Sequence, residues 1–78
     1  MSLVRPRQPM PEDVSQALRK RGLVEAYEGR PPYQRNDYLG WIARAKRPET
    51  RARRLAQMLD ELETGGIYMK MVWAPGKP

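Results

Sequence analysis

The sequence predicts an all-α fold, a small bundle of about three helices with a flexible N-terminal arm and a C-terminal tail. Three observations carry this expectation. Apolar residues recur at helical spacing in three stretches, proline and glycine punctuate the ends of those stretches, and 78 residues suffice for one small domain. A chain this short buries only about 60–65% of its unfolded surface, so one thin core with function at the surface is expected.

Residues 1–10 (MSLVRPRQPM) hold two prolines and two arginines without a period and read as the arm. Pro11, Glu12 and Asp13 mark the first helix start, where proline fits the first position and carboxylates favour the exposed amides and the dipole. Val14, Ala17 and Leu18 supply its apolar stripe, and Gly22 ends it after Arg19, Lys20 and Arg21. Residues 23–28 can add one or two turns presenting Leu23, Val24 and Tyr27, before the break at Gly29-Arg30-Pro31-Pro32.

The second strong helix is expected from Tyr33 to Ala45. Tyr38, Leu39, Trp41, Ile42 and Ala45 fall in one wide arc, with Asn36, Asp37, Gly40 and Arg44 outside it. Pro48 opens the third, with Ala52, Leu55, Ala56, Leu59 and Leu62 as its core stripe and Gly65-Gly66 as its stop. The helical domain therefore spans residues 11–66. Residues 67–73 (IYMKMVW) are rich in strand formers but have no obvious strand to pair with, so 67–78 read as a tail that packs, if at all, through Trp73.

Composition narrows the function. Cysteine and histidine are absent, which removes disulfides, thiolate chemistry, zinc sites built on those ligands and imidazole bases. No cofactor and no metal site is expected, and catalysis is the weak hypothesis; no catalytic residue is assigned. Glu49 and Thr50 beside the arginines would be the groups for an enzymatic alternative, but such residues open many helices. No apolar run approaches the roughly 20 residues that span a bilayer, and the start lacks a secretory pattern, so the expected location is cytoplasmic.

Fifteen basic residues, eleven of them arginine, face nine acids, for a net charge of +6. Residues 44–54 (RAKRPETRARR) carry +5 of it. Arg44, Lys46 and Arg47 can complement the negative end of the second helix. Arg51, Arg53 and Arg54 lie at the positive end of the third, where an exposed cation is unfavourable by up to about 1 kcal/mol. Glu49 stands four residues before Arg53, the favourable order for an ion pair. Arg47, Arg51 and Arg54 share one stripe with no acid three or four positions away inside the run. Such an arrangement calls for an anion, from a partner or from Asp37, Asp60 or Glu61 folding across, and arginine's planar fork suits carboxylate or phosphate.

The run Tyr38-Leu39-x-Trp41-Ile42-x-x-Ala45-Lys46-Arg47-Pro48-Glu49-Thr50-Arg51-x-Arg53-Arg54-Leu55 closely resembles the core of the YdeI/OmpD-associated family, also called bacteriocin-protection proteins. Looser agreement reaches back through Pro11-Glu12-Asp13, Ala17-Leu18 and Tyr27, so the resemblance covers roughly residues 9–66. It implies a helical module, often the C-terminal part of longer chains, in a family named for protection against antimicrobial peptides and for association with a porin. It implies no biochemical mechanism. Lys46, Arg47, Glu49, Thr50, Arg51, Arg53 and Arg54 match the family signature. Tyr33 departs from it, standing near where relatives tend to have a helix-capping serine.

The leading expectation is a non-catalytic interaction module that docks an acidic protein or other anionic partner on Lys46, Arg47, Arg51 and Arg54, with Glu49, Thr50 and Arg53 in support. The alternative is nucleic-acid binding through the same stripe. Against it, the aromatic residues fall on core faces instead of alternating with the arginines. Neither the partner's identity nor the oligomeric state follows from the sequence.

Overall fold

The computed structural model describes residues 8–73; residues 1–7 of the arm expected over 1–10, and the end of the tail over 74–78, lie outside them. Four helices follow in order: α1 (Glu12–Lys20), α2 (Val24–Glu28), α3 (Pro32–Ala43) and α4 (Pro48–Thr64). Two short strands, β1 (Ile67–Tyr68) and β2 (Met71–Val72), follow as an antiparallel hairpin with Ile67 opposite Val72 and Tyr68 opposite Met71. The all-α expectation holds for the body of the molecule. The fourth helix is the short segment over 24–28, and the hairpin corrects the expectation of a strand without a partner: the chain doubles back to pair with itself.

Local chemistry accounts for the helix ends. Pro11 and Pro31 sit in extended backbone just before α1 and α3, and proline occupies the opening turns of α3 and α4, where the missing N–H would have had no helical partner anyway. At the end of α1, Gly22 takes φ +69. This left-handed residue lets the Leu23 amide reach the Leu18 carbonyl at 2.8 Å and the Gly22 amide reach Arg19 at 3.1 Å, while Leu18 and Leu23 enter the same core.

The core gathers Val14, Leu18, Leu23, Tyr27, Tyr38, Leu39, Ile42, Met58, Leu59 and Leu62. Full burial of such side chains stabilises by about 1.5–3 kcal/mol each, and so sets the packing of the helices. On α4 the expected stripe is corrected. Ala52 and Ala56 are exposed, and Met58 is fully buried instead, because the buried face runs through Leu55, Met58, Leu59 and Leu62. On α3 the arc holds for Tyr38, Leu39 and Ile42, but Trp41 is only half-buried, Gly40 is buried, and Ala45 lies past the helix, which ends at Ala43. A methyl group at Gly40 would stand 3.2 Å from Arg44 Nη1 and 3.4 Å from the Gln8 side chain, so glycine here leaves room for both side chains beside α3. The Gln8 amide also donates to Asn36 Oδ1 at 2.7 Å, so that residues from Gln8 onward already lie against the bundle.

A second, polar core ties the hairpin to the helices. Arg30, from the break between α2 and α3, is buried and donates to Gln34 Oε1 (3.0 Å), the Glu61 carbonyl (3.0 Å) and the Ile67 carbonyl (2.7 Å), with its guanidinium 4.7 Å from the Trp73 ring centre. Glu61, also buried, accepts from the Tyr38 hydroxyl, the Met69 and Lys70 amides (both 2.8 Å) and Gln57 (3.1 Å). Met69 and Lys70 form the two-residue turn at φ 51 and 65, a backbone that glycine or asparagine usually fills. Two such residues cost roughly 1–2 kcal/mol each, and the carboxylate of Glu61, bonded to both amides, offsets that strain. Burial, then the bond to Glu61, pushes the Tyr38 phenol well above its ordinary value.

Candidate functional site

The basic run occupies the corner where α3 ends and α4 begins. Two of its arginines are committed to the chain's own structure, which corrects the expectation that they await an external anion. Arg51 Nη2 and Nε donate to Asp13 at 3.0 and 3.2 Å, and Nη1 lies 3.5 Å from the Ile42 carbonyl. Arg54 Nη1 donates to the Trp41 carbonyl at 2.7 Å, its guanidinium 5.3 Å from the Trp41 ring centre.

The physical reason is the meeting of two helix ends. The last carbonyls of α3 have no partner within their own helix and carry its negative pole. Arg51 and Arg54, unfavourably placed with respect to α4, are well placed with respect to α3. Asp13, in the first turn of α1, completes the arrangement, and the Arg51 guanidinium beside it holds its carboxyl below the usual range. None of the acids considered from sequence takes this part. Asp60 lies 3.5 Å from Arg21, Glu61 is held inside by the hairpin, and Asp37 accepts from the Tyr68 hydroxyl at 2.8 Å.

These contacts also orient α1. Its start is tied to the first half of α4 by Asp13 and Arg51, and its end to the second half by Arg21, which reaches Glu63 at 2.6 Å and Asp60. The two helices therefore run in the same direction, bracketed by ion pairs. Each pair, being partly exposed, contributes only about 0.2–1 kcal/mol.

The remaining members of the run behave differently. Lys46 in the connection, Arg47 at the cap position of α4, and Arg53 on its outer face are exposed, and among the described residues none of them meets a carboxylate. Glu49 and Arg53 do not pair, although their spacing permits it. Thr50 is half-buried beside Arg51. The corner thus presents Lys46, Arg47 and Arg53 to solvent on a backbone fastened by Arg51 and Arg54.

From this corner a groove of about 640 Å³ runs along α4 to the hairpin turn, bordered by Trp41, Arg53, Arg54, Gln57, Ile67 and Lys70. Sequence reasoning placed Trp41 in the core and left Lys70 in an unassigned tail. The signal available for Lys70 was a weak one, a short run of strand formers just after a double glycine. Among the described residues no group of three or more acidic, histidine or cysteine side chains gathers in a way that could hold a metal ion, and no helix is long and apolar enough to cross a membrane.

Residues 8–65 match the family model described as OmdA, bacteriocin-protection, YdeI or OmpD-associated. The match takes in all four helices and the whole basic corner, and ends just before the hairpin. No curated protein and no solved structure matches the chain.

Proposed function

Because the chain belongs to the bacteriocin-protection, YdeI or OmpD-associated family, we propose that it works as a non-catalytic helical docking module that receives an acidic segment of a partner protein at the α3–α4 corner. The observation that carries this reading is the contrast inside one short run. Arg51 and Arg54 are held by Asp13 and the end of α3, while Lys46, Arg47 and Arg53 stand in solvent and meet no carboxylate among the described residues. Exposed like charges on a fastened backbone repel one another, and a negatively charged partner relieves that repulsion. Because the backbone is already ordered, little conformational freedom is lost when the partner arrives.

The buried state of Tyr27 and Tyr38 and the stacking of Arg54 against Trp41 disfavour nucleic acid, since they leave few aromatic faces for bases. An amide chemical-shift titration with an acidic peptide, inorganic phosphate, short single-stranded DNA and anionic vesicles tests the reading. The acidic peptide is expected to perturb residues 46–53. The double variant Arg47→Glu, Arg53→Glu should weaken it at least tenfold while the unfolding midpoint stays nearly unchanged. If DNA binds instead, with the logarithm of affinity falling against log salt at a slope near −2, as about three phosphates of a single strand would give, the nucleic-acid alternative replaces this one.

A further inference from the structure

The groove along α4 indicates what kind of acidic segment the corner takes, an inference that rests on the docking reading above. We infer that it holds an extended peptide with acidic residues near its two ends and an apolar residue between them, lying from Arg53 to the hairpin turn.

Charge placement is the first support. Arg53 and Arg54 stand at the corner end of the groove and Lys70 at the hairpin end. Between them the lining combines Trp41, Ala56, Gln57 and Ile67 with the two acids Asp60 and Glu61. Arg54 uses Nη1 on the Trp41 carbonyl and lies over the Trp41 ring, so a cation and an aromatic ring line the groove together. That pairing of residue types is the one most often found to carry binding energy in protein interfaces.

Length is the second support. From Arg53 to Glu61, whose carboxylate holds the Met69 and Lys70 amides of the turn, α4 advances about 12 Å at 1.5 Å per residue, which an extended peptide covers in about four residues at 3.3 Å each. A chain of that length can set a carboxylate against the cations at either end and one side chain against Trp41 and Ile67 in the middle.

The acids of the groove decide between a peptide and a phosphate backbone. Asp60 lies on its rim and the bonded carboxylate of Glu61 in its wall, both between the two cationic ends. A nucleic-acid strand brings a negative charge with every nucleotide and would meet these acids in mid-groove. A peptide can be uncharged there.

The test is an amide chemical-shift titration of the whole chain with a blocked seven-residue peptide that has aspartate and glutamate at both ends and leucine at its centre. Controls are the same peptide with glycine at the centre, and a short single-stranded DNA. The leucine peptide is expected to shift Ala56, Gln57, Ile67 and Lys70 together with Arg53, and to bind at least tenfold tighter than its glycine counterpart. Ala56→Glu, at an exposed helical position, should weaken it at least tenfold. Shifts confined to residues 46–53, equal for both peptides, would overturn the groove and leave corner docking standing. No shift with either peptide, or shifts in the groove from DNA alone, would overturn both.

Discussion

Arg30 and Arg47 carry the same guanidinium group and meet opposite fates. Arg30 is buried among two carbonyls, a glutamine and an indole ring, and Glu61 close by is saturated by four donors. Among the described residues no buried side-chain nitrogen or oxygen lacks a partner. At the other end of α4, Arg47 and Arg53 are exposed and meet no carboxylate among the described residues. The two regions teach that charge content alone does not mark a binding surface. Charges whose hydrogen-bonding capacity is filled within the chain build structure; those left unfilled are available to a partner. Arg51 and Arg54 lie between the extremes, partly exposed and individually weak, yet fastening the corner.

The largest effect is expected from emptying the saturated region. Glu61→Ala removes the acceptor for the Tyr38 hydroxyl and for both turn amides, and should destabilise by about 3 kcal/mol. For a domain of this size that is a fall of roughly 12 °C or more in the midpoint of thermal unfolding, with loss of amide-exchange protection over residues 67–72. Retained protection there would mean that strand pairing alone holds the hairpin.

Tyr38→Phe should cost less, about 1–2 kcal/mol at neutral pH, and should also flatten the alkaline side of the stability profile. The native phenol ionises well above its ordinary value near 10, so its contribution is complete below that pH. Above it, the unfolded state releases a proton that the native state keeps, and stability falls as pH rises. Denaturant titrations between pH 8 and pH 11 should show this decline in the parent chain and a weaker one in the variant.

The smallest effect belongs to the corner's own brace. Asp13→Asn should destabilise by less than about 1 kcal/mol, the usual range for a partly exposed pair. Arg51 depresses the Asp13 pKa below its ordinary 3.8, so the pair's contribution is present above that value and is lost as pH falls through the lower native one. The parent and variant should therefore converge in stability as the pH falls well below 4. A persistent difference there would mean that Asp13 acts by packing or capping instead of by its charge.

Several particulars of the fold were legible in the residues. The helix starts at the prolines and the glycine stop after α1 follow from short-range chemistry, and the family was legible as a resemblance of the run over residues 38–55. Other features were not. Arg30 stood in a stretch that reads only as a break, because its three acceptors lie on residues near it, at 61 and at 67, which no local pattern connects. Ala52 and Ala56 fit the helical stripe of α4 as well as Met58 does, and only the positions of the neighbouring helices exclude them.

By itself, then, the sequence determined where helices form, what chemistry is excluded for lack of histidine and cysteine, and that positive charge concentrates over residues 44–54. Tertiary structure alone decided which of those charges remain available. That decision depends on Asp13 lying 38 positions from Arg51, and on the end of α3 abutting the start of α4, so that carbonyls and carboxylates remote in the chain come within hydrogen-bond reach. Helix propensity and charge patterning act over a few residues, whereas the neutralisation of a charge depends on distance in space. Packing of the core brings those groups together.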